Sequence, residues 1–248
     1  MSDGEFRIGV LGAGVMGSGI AQVTATAGYE TVCYDVDADA LTRGREHVTS
    51  GRYGVERGVE RGKLTREQAD AALERLTFTQ SFEDAADTHL VVEAVPEQLE
   101  LKMRVFRDLD AAAPAGTILA SNTSGFPIAA IAGATERPDL VVGWHWASPA
   151  PVMRMAEIVR TRATSDDTVA TVVEVAARCG KNPVVVRDTA MAWGFVSNRV
   201  YFAMIAEARK VVDAGVATEE QVDQIMMDCF RWPTGPFGMV TGATEGWK

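Results

Sequence analysis

The segment Gly12-Ala13-Gly14-Val15-Met16-Gly17 closes a short apolar run and opens a helical pattern, and Asp35 ends the next apolar run. Each part of this arrangement has a physical task. Gly12 permits a tight turn, Gly14 lets a pyrophosphate approach the backbone, and Gly17 lets the helix pack closely on the strand. The helix N-terminus, with Val15 and Met16 in its first turn, offers N–H groups and the positive end of its dipole to phosphates. Asp35 can accept both hydroxyls of a ribose and would repel a 2′-phosphate, so the pattern predicts NAD rather than NADP. Three more polar groups fall at or just past apolar runs: Ser121-Asn122-Thr123-Ser124, then His145, then Glu157. Oxidising an alcohol with a nicotinamide requires a base for the hydroxyl proton, and imidazole suits that task near neutral pH. Neighbouring hydroxyls and an amide can hold the oxygen. Glu157 is a carboxylate flanked by Met155, Ala156, Ile158 and Val159, and such a residue needs a buried partner. A lone histidine usually reads as structural, but the partner that Glu157 needs makes His145 the candidate; His47 and His89 read as surface residues.

Elements must bring these groups together. Strand-like runs at Arg7 to Leu11, Thr31 to Asp35, Leu90 to Glu93, Ile118 to Ser121 and Leu140 to Gly143 alternate with helical segments. This alternation predicts a mainly parallel, doubly wound α/β sheet. His145 is expected just after the strand that ends at Gly143-Trp144. A further strand pair is expected at Ala156 to Arg160 and Pro183 to Val186, joined by a helix from Asp166 to Cys179. The stretch from Ala38 to Leu76 reads as an inserted helical hairpin, whose capping box Thr65-Arg66-Glu67-Gln68 starts a helix running to Leu76. It carries Arg52, Arg57, Arg61 and Lys63, read either as a solvated helix face or as a landing site for a polyanion such as coenzyme A. Beyond Arg187 the pattern is helical, with one helix from Phe195 to Ala214 and another capped by Thr218-Glu219-Glu220-Gln221. The expected domains are therefore a Rossmann-like NAD-binding domain over 1–186 and a small all-α domain over 187–248 for substrate binding and dimerisation.

The 248 residues carry a net charge of −10, which argues against nucleic acid and anionic membrane surfaces as partners. No apolar stretch approaches the roughly 18 residues needed to span a bilayer. Cys33, Cys179 and Cys229 lack metal-ligand or disulfide spacing and read as reduced core or near-core residues of a cytoplasmic protein; the acidic start Met1-Ser2-Asp3-Gly4-Glu5 speaks against a signal peptide. No metal site is expected.

The sequence resembles the short-chain L-3-hydroxyacyl-CoA dehydrogenases, especially their bacterial 3-hydroxybutyryl-CoA branch. The matching stretches run in order through nearly the whole chain. They are Gly12 to Ala21, Gly62-Lys63-Leu64-Thr65, Val92 to Glu97, Ser121 to Ser124, His145, Pro149 to Arg154, Glu157, Gly194 to Arg199 and Gly235-Pro236-Phe237. The resemblance implies reversible NAD-dependent oxidation of a 3-hydroxyacyl thioester of fatty-acid metabolism. It implies His145 as base, Glu157 as its carboxylate partner, and Ser124 and Asn198 as ligands of the substrate oxygen. Glu97, Lys102 and Asn122 would lie beside the cofactor, and the basic hairpin would hold coenzyme A.

Departures from the family pattern bear on the pocket. His-Phe-Phe-Asn-Pro becomes His145-Trp146-Ala147-Ser148-Pro149, which puts Ser148 where an amide normally adjoins nicotinamide and acyl group. Gly125 stands where a second serine is common, and the linker Asp188 to Phe195 is lengthened and adds Trp193. The chain ends at Lys248, short of the family's usual helical domain, so that domain is expected to be truncated. Exposed Met204, Ile225 and Met226 there would favour a homodimer. Three other readings stay open: the same chemistry on a small polar hydroxyacyl group of an acyl carrier protein, a non-thioester hydroxy acid, or NAD binding without catalysis.

Overall fold

The computed structural model describes residues 6–189 and 193–245. They form two compact units, one reaching to Phe195 and the other starting at Val196.

In the first unit, β1 (Arg7–Leu11), α1 (Val15–Thr26) and β2 (Glu30–Tyr34) build the opening βαβ. Three helices follow, α2 (Ala38–Thr49), α3 (Val55–Glu60) and α4 (Arg66–Glu74), and then β3 (Leu76–Thr79) and α5 (Phe82–Ala86). The chain continues through β4 (Leu90–Glu93), α6 (Leu99–Ala112), β5 (Ile118–Ser121), α7 (Ile128–Ala132) and β6 (Val141–Trp146). It closes with β7 (Met155–Arg160), α8 (Asp166–Arg178) and β8 (Asn182–Arg187). The strands form one sheet in the order β3-β2-β1-β4-β5-β6-β7-β8. Among the described residues only the β6–β7 pairing is antiparallel.

Alternation of side chains across the sheet divides the core in two. Ile8, Val10, Val92, Ala120, Trp144, Trp146 and Ile158 pack with α1 and α8. Leu11, Val91, Leu119, Val141 and Val159 pack with α5, α6 and α7. Because His145 lies between Trp144 and Trp146 in β6, its side chain faces the second side.

Five expectations need correction. The strand β3 was not foreseen, because Leu76-Thr77-Phe78-Thr79 follows α4 without a break and its four residues look like a helix end; α4 stops at Glu74. Strand β6 runs on to Trp146 rather than ending at Trp144, since antiparallel pairing with β7 extends it. Cys229 is exposed, whereas Cys33 and Cys179 are buried. The inserted segment contains three helices rather than a simple hairpin, with Arg66 of α4 clamping Glu56 of α3 through two 2.8 Å hydrogen bonds. His47 is half-buried, 3.2 Å from the Ser18 hydroxyl.

The second unit packs α9 (Ser197–Asp213), α10 (Glu219–Phe230) and α11 (Pro236–Glu245) against one another. The expected cap is present: Thr218 accepts from Gln221 N at 3.3 Å and the Gln221 side chain accepts from Thr218 N at 2.9 Å. No helix among the described residues is long and apolar enough to cross a membrane.

Candidate active site

The glycine turn is built as a phosphate cradle. Gly12 has φ 99°, and a Cβ there would sit 2.7 Å from the Ala94 carbonyl oxygen; a Cβ at Gly17 would sit 1.7 Å from the Gly12 carbonyl oxygen. No side chain larger than hydrogen fits at either position. At Gly14, by contrast, a Cβ would meet nothing within 4 Å, so the space above the N-terminus of α1 is open to a ligand. A groove of about 520 Å³ begins there, lined by Gly14, Val15, Arg43 and His47 among others. Asp35 closes the turn from the end of β2: Oδ2 accepts the Ala13 N–H at 2.8 Å and Oδ1 the Asp37 N–H at 3.0 Å. These residues fit a dinucleotide. In Asp35→Asn we expect NADH affinity to fall about tenfold or more, as for other hydrogen bonds to a charged acceptor, with less discrimination against NADPH. Nicotinamide fluorescence titration reads both, and unchanged selectivity would remove Asp35 from the ribose site.

At the far ends of β4 and β5 lies a buried polar network. Glu93, at the end of β4, accepts from Lys102 Nζ at 2.7 Å, Ser121 Oγ at 2.7 Å and Val95 N at 2.8 Å. Burial pushes its carboxyl up, against the pull of these three donors. Lys102 comes from α6 and is 1% exposed; it also reaches Val95 O and Glu97 Oε2, each at 3.2 Å. Its ammonium is thus engaged with Glu93 and Glu97 rather than presented at a surface. Glu97 in turn accepts from Thr123 Oγ1 at 2.6 Å and from Ser124 N at 2.8 Å. The Ser124 loop is therefore held from below by a carboxylate that Lys102 holds in place. Thr123, not singled out from the sequence, is the hub: its hydroxyl also accepts from Gly125 N and Phe126 N at 3.3 and 3.0 Å.

Across β6 and β7, His145 and Glu157 are register partners. Their side chains meet with Nδ1 and Oε2 2.7 Å apart, 6% and 4% exposed as residues. Nδ1–H donating to the carboxylate leaves Nε2 as the basic nitrogen, oriented and ready to take a proton. The Asn122 amide oxygen accepts from Trp146 N at 3.0 Å, tying the β5 loop to the residue after His145. Phe195 packs beside the His145 ring, centroids 5.9 Å apart. Ser148 forms a cis peptide bond with Pro149 in the loop that follows. Gly125, next to Ser124, is explained by its neighbours: a Cβ there would lie 2.2 Å from Gly194 N and against the Trp193 ring. Linker residues 190–192 lie outside the described residues. Asn198 sits in the first turn of α9, in the second unit.

The basic residues divide. Arg57, Arg61 and Lys63 line a cleft of about 440 Å³, joined by Arg154, Arg178 and Lys181. Among the described residues its lining holds six cationic side chains and no carboxylate. Arg52 is outside that lining, its guanidinium 5.6 Å from the Tyr53 ring centre. Sequence reasoning missed Arg178, the last residue of α8, and Lys181, just before β8, which looked like ordinary polar residues at and after a helix end.

A dinucleotide cradle on a doubly wound sheet, with a buried His–Glu pair at the strand ends, defines a nicotinamide-dependent oxidoreductase. Comparison with known proteins makes this specific. The NAD-binding domain profile of the 3-hydroxyacyl-CoA dehydrogenases matches residues 7–189, and the C-terminal domain profile matches residues 194–246. A Bacillus subtilis protein named probable 3-hydroxybutyryl-CoA dehydrogenase is 40% identical over 233 residues, 94% of this chain and 79% of that one. Mycobacterium tuberculosis FadB2 superposes with a TM-score of 0.87 at 39% identity, over 94% of this chain and 80% of that one. The (S)-3-hydroxybutyryl-CoA dehydrogenase PaaH1 of Ralstonia eutropha gives a TM-score of 0.88 at 36% identity, over 93% and 79%. The chain belongs to the 3-hydroxyacyl-CoA dehydrogenase family. It is an NAD-dependent oxidoreductase of 3-hydroxyacyl-CoA thioesters.

Proposed function

We propose that the substrates are short-chain thioesters, 3-hydroxybutyryl-CoA in one direction and acetoacetyl-CoA in the other. The buried His145–Glu157 pair, 2.7 Å apart, carries the proton-transfer chemistry, and the short acyl chain is taken from relatives named 3-hydroxybutyryl-CoA dehydrogenases. Bound NAD supplies the hydride acceptor. His145 Nε2 takes the hydroxyl proton, and Glu157 holds the ring and stabilises it when it becomes charged. Ser124, fixed by Glu97, binds the substrate oxygen; Asn198 is assigned to the same oxygen, and Ser148 to the acyl pocket, on the resemblance. Lys102 acts at one remove, by holding Glu97.

The cationic cleft is assigned to the phosphates of coenzyme A. Arg57, Arg61, Lys63, Arg154 and Arg178 line it, and a ligand with several phosphates complements their charge. Arg52 is retained only as a peripheral charge. In the helical unit Val200, Phe202, Ile225 and Phe230 are each more than half exposed, which supports pairing with a second copy as a homodimer. A cytoplasmic location suits the three thiols, of which Cys33 and Cys179 are each pushed up to about 12 by burial.

The direct test follows NADH oxidation with acetoacetyl-CoA, acetoacetyl-acyl carrier protein and free acetoacetate. We expect turnover of about 1–10³ s⁻¹ on the CoA thioester, typical of enzymes, and far less on the other two. Preference for the carrier protein or the free acid would overturn the assignment of the cleft to coenzyme A. Tight NADH binding without turnover on any of them would indicate a non-catalytic protein.

A further inference from the structure

We propose that Lys181 is a positioning residue: it pins the loop between β6 and β7 and thereby builds one wall of the cationic cleft. The inference rests on the assignment of that cleft to coenzyme A. Strand β6 carries His145, β7 carries Glu157, and residues 147–154 join them. Lys181 lies just before β8 and points its ammonium into this loop. Nζ donates to Ala150 O at 2.5 Å and to Met153 O at 2.8 Å, and lies 5.1 Å from the Trp146 ring centre. The residue is 7% exposed, and among the described residues no carboxylate lies within ion-pair distance. A buried cation without a counter-ion is costly unless oriented dipoles replace its water. Here two loop carbonyls and an indole face do so. Burial pushes the ammonium below the ordinary lysine range, as that environment requires.

The loop is otherwise lightly held. Val152 N and Met153 N both donate to Pro149 O at 3.0 Å, and Asn182 N donates to Arg154 O at 2.7 Å. Its near side rests on the dinucleotide helix, where a Cβ at Gly19 would lie 3.3 Å from the Ala150 Cβ. Pro151, Val152 and Arg154 of this loop line the cleft. Removing the Lys181 ammonium leaves two carbonyls without their donor and frees that wall. Because Lys181 packs on Trp146, it lies on the α1 side of the sheet, opposite the side that His145 faces. Its loss should weaken thioester binding while sparing the proton-transfer pair.

The experiment compares Lys181→Met and Lys181→Arg with the parent enzyme. Amide hydrogen exchange is measured at Val152 and Met153 in the ligand-free protein. Steady-state constants are measured with acetoacetyl-CoA and with its N-acetylcysteamine analogue, which lacks the phosphates. For Lys181→Met we expect about tenfold faster exchange and an about tenfold higher KM for the CoA thioester, with kcat and the truncated thioester within about threefold. Lys181→Arg keeps the charge and shows the same changes at smaller amplitude; it carries the test should the methionine variant fail to fold. Unchanged exchange at both amides overturns the pin. Faster exchange with an unchanged KM overturns its link to binding. Arg57→Ser/Arg61→Ser separates the two ideas: an unchanged KM for the CoA thioester there overturns the cleft assignment, whatever Lys181 does.

Discussion

Replacing His145 with glutamine is expected to lower kcat for acetoacetyl-CoA reduction by about 10²- to 10⁴-fold, the usual contribution of a positioned acid–base group. Glutamine keeps roughly the length of the side chain and can still hydrogen-bond the Glu157 carboxylate that now meets Nδ1 at 2.7 Å. It cannot carry the reacting proton. NADH affinity should be unchanged, because the glycine turn and Asp35 sit at β1 and β2, with β4 and β5 between them and β6. Rapid-mixing measurement of hydride transfer, with NADH binding titrated separately, tests both parts. Turnover within tenfold of the parent enzyme would remove His145 from the chemistry. Glu157→Gln makes a companion: the amide can accept the same hydrogen bond but carries no charge, so the ring keeps its orientation and loses stabilisation of its protonated form. A smaller loss of kcat than in His145→Gln, with KM little changed, is the expected outcome.

The pair was legible in the sequence for a physical reason. A carboxylate inside Met155-Ala156-Glu157-Ile158-Val159 has no tolerable environment without a partner, and His145 is the histidine expected just past the C-terminal end of a strand, where ligands bind. The glycine turn was legible because backbone geometry and close approach exclude every other residue at Gly12 and Gly17. Caps at Thr65 and Thr218 were legible because a hydroxyl three residues before a glutamine satisfies two end groups at once. What escaped depends on contacts between distant segments. Strand β3 exists because β2 offers it a parallel edge, which four residues cannot announce. The last residues of β6 became strand only by pairing with β7. Lys181 reads as a polar residue after a helix until the loop 31 positions earlier folds over it. The split of the basic residues, with Arg52 apart from Arg57, Arg61 and Lys63, likewise follows from the turn between α2 and α3 rather than from composition.

Lys102→Met is expected to destabilise the first unit by about 3–5 kcal/mol, the cost of leaving one member of a buried ion pair behind. The ammonium is 1% exposed and its nearest partner, Glu93, is fully buried, so water cannot take its place. Glu93 would keep Ser121 Oγ and Val95 N as donors, yet burial already pushes its carboxyl up, and without the cation it takes a proton instead. Equilibrium urea unfolding measures the loss as a lower midpoint at similar slope. A second substitution separates the charge from the packing. In Glu93→Gln/Lys102→Met no buried charge remains, so the double variant should recover much of the lost stability, as buried pairs replaced by neutral groups commonly do. Function should not recover with it. Glu97 would still lack the Nζ contact at 3.2 Å, and Glu97 is what holds Thr123 and the Ser124 backbone. The double variant should therefore fold well and still bind substrate poorly, with KM raised and NADH affinity reduced less. Equal instability of single and double variants would show that Lys102 matters for packing alone; full recovery of KM would show that Glu97 positions the Ser124 loop unaided.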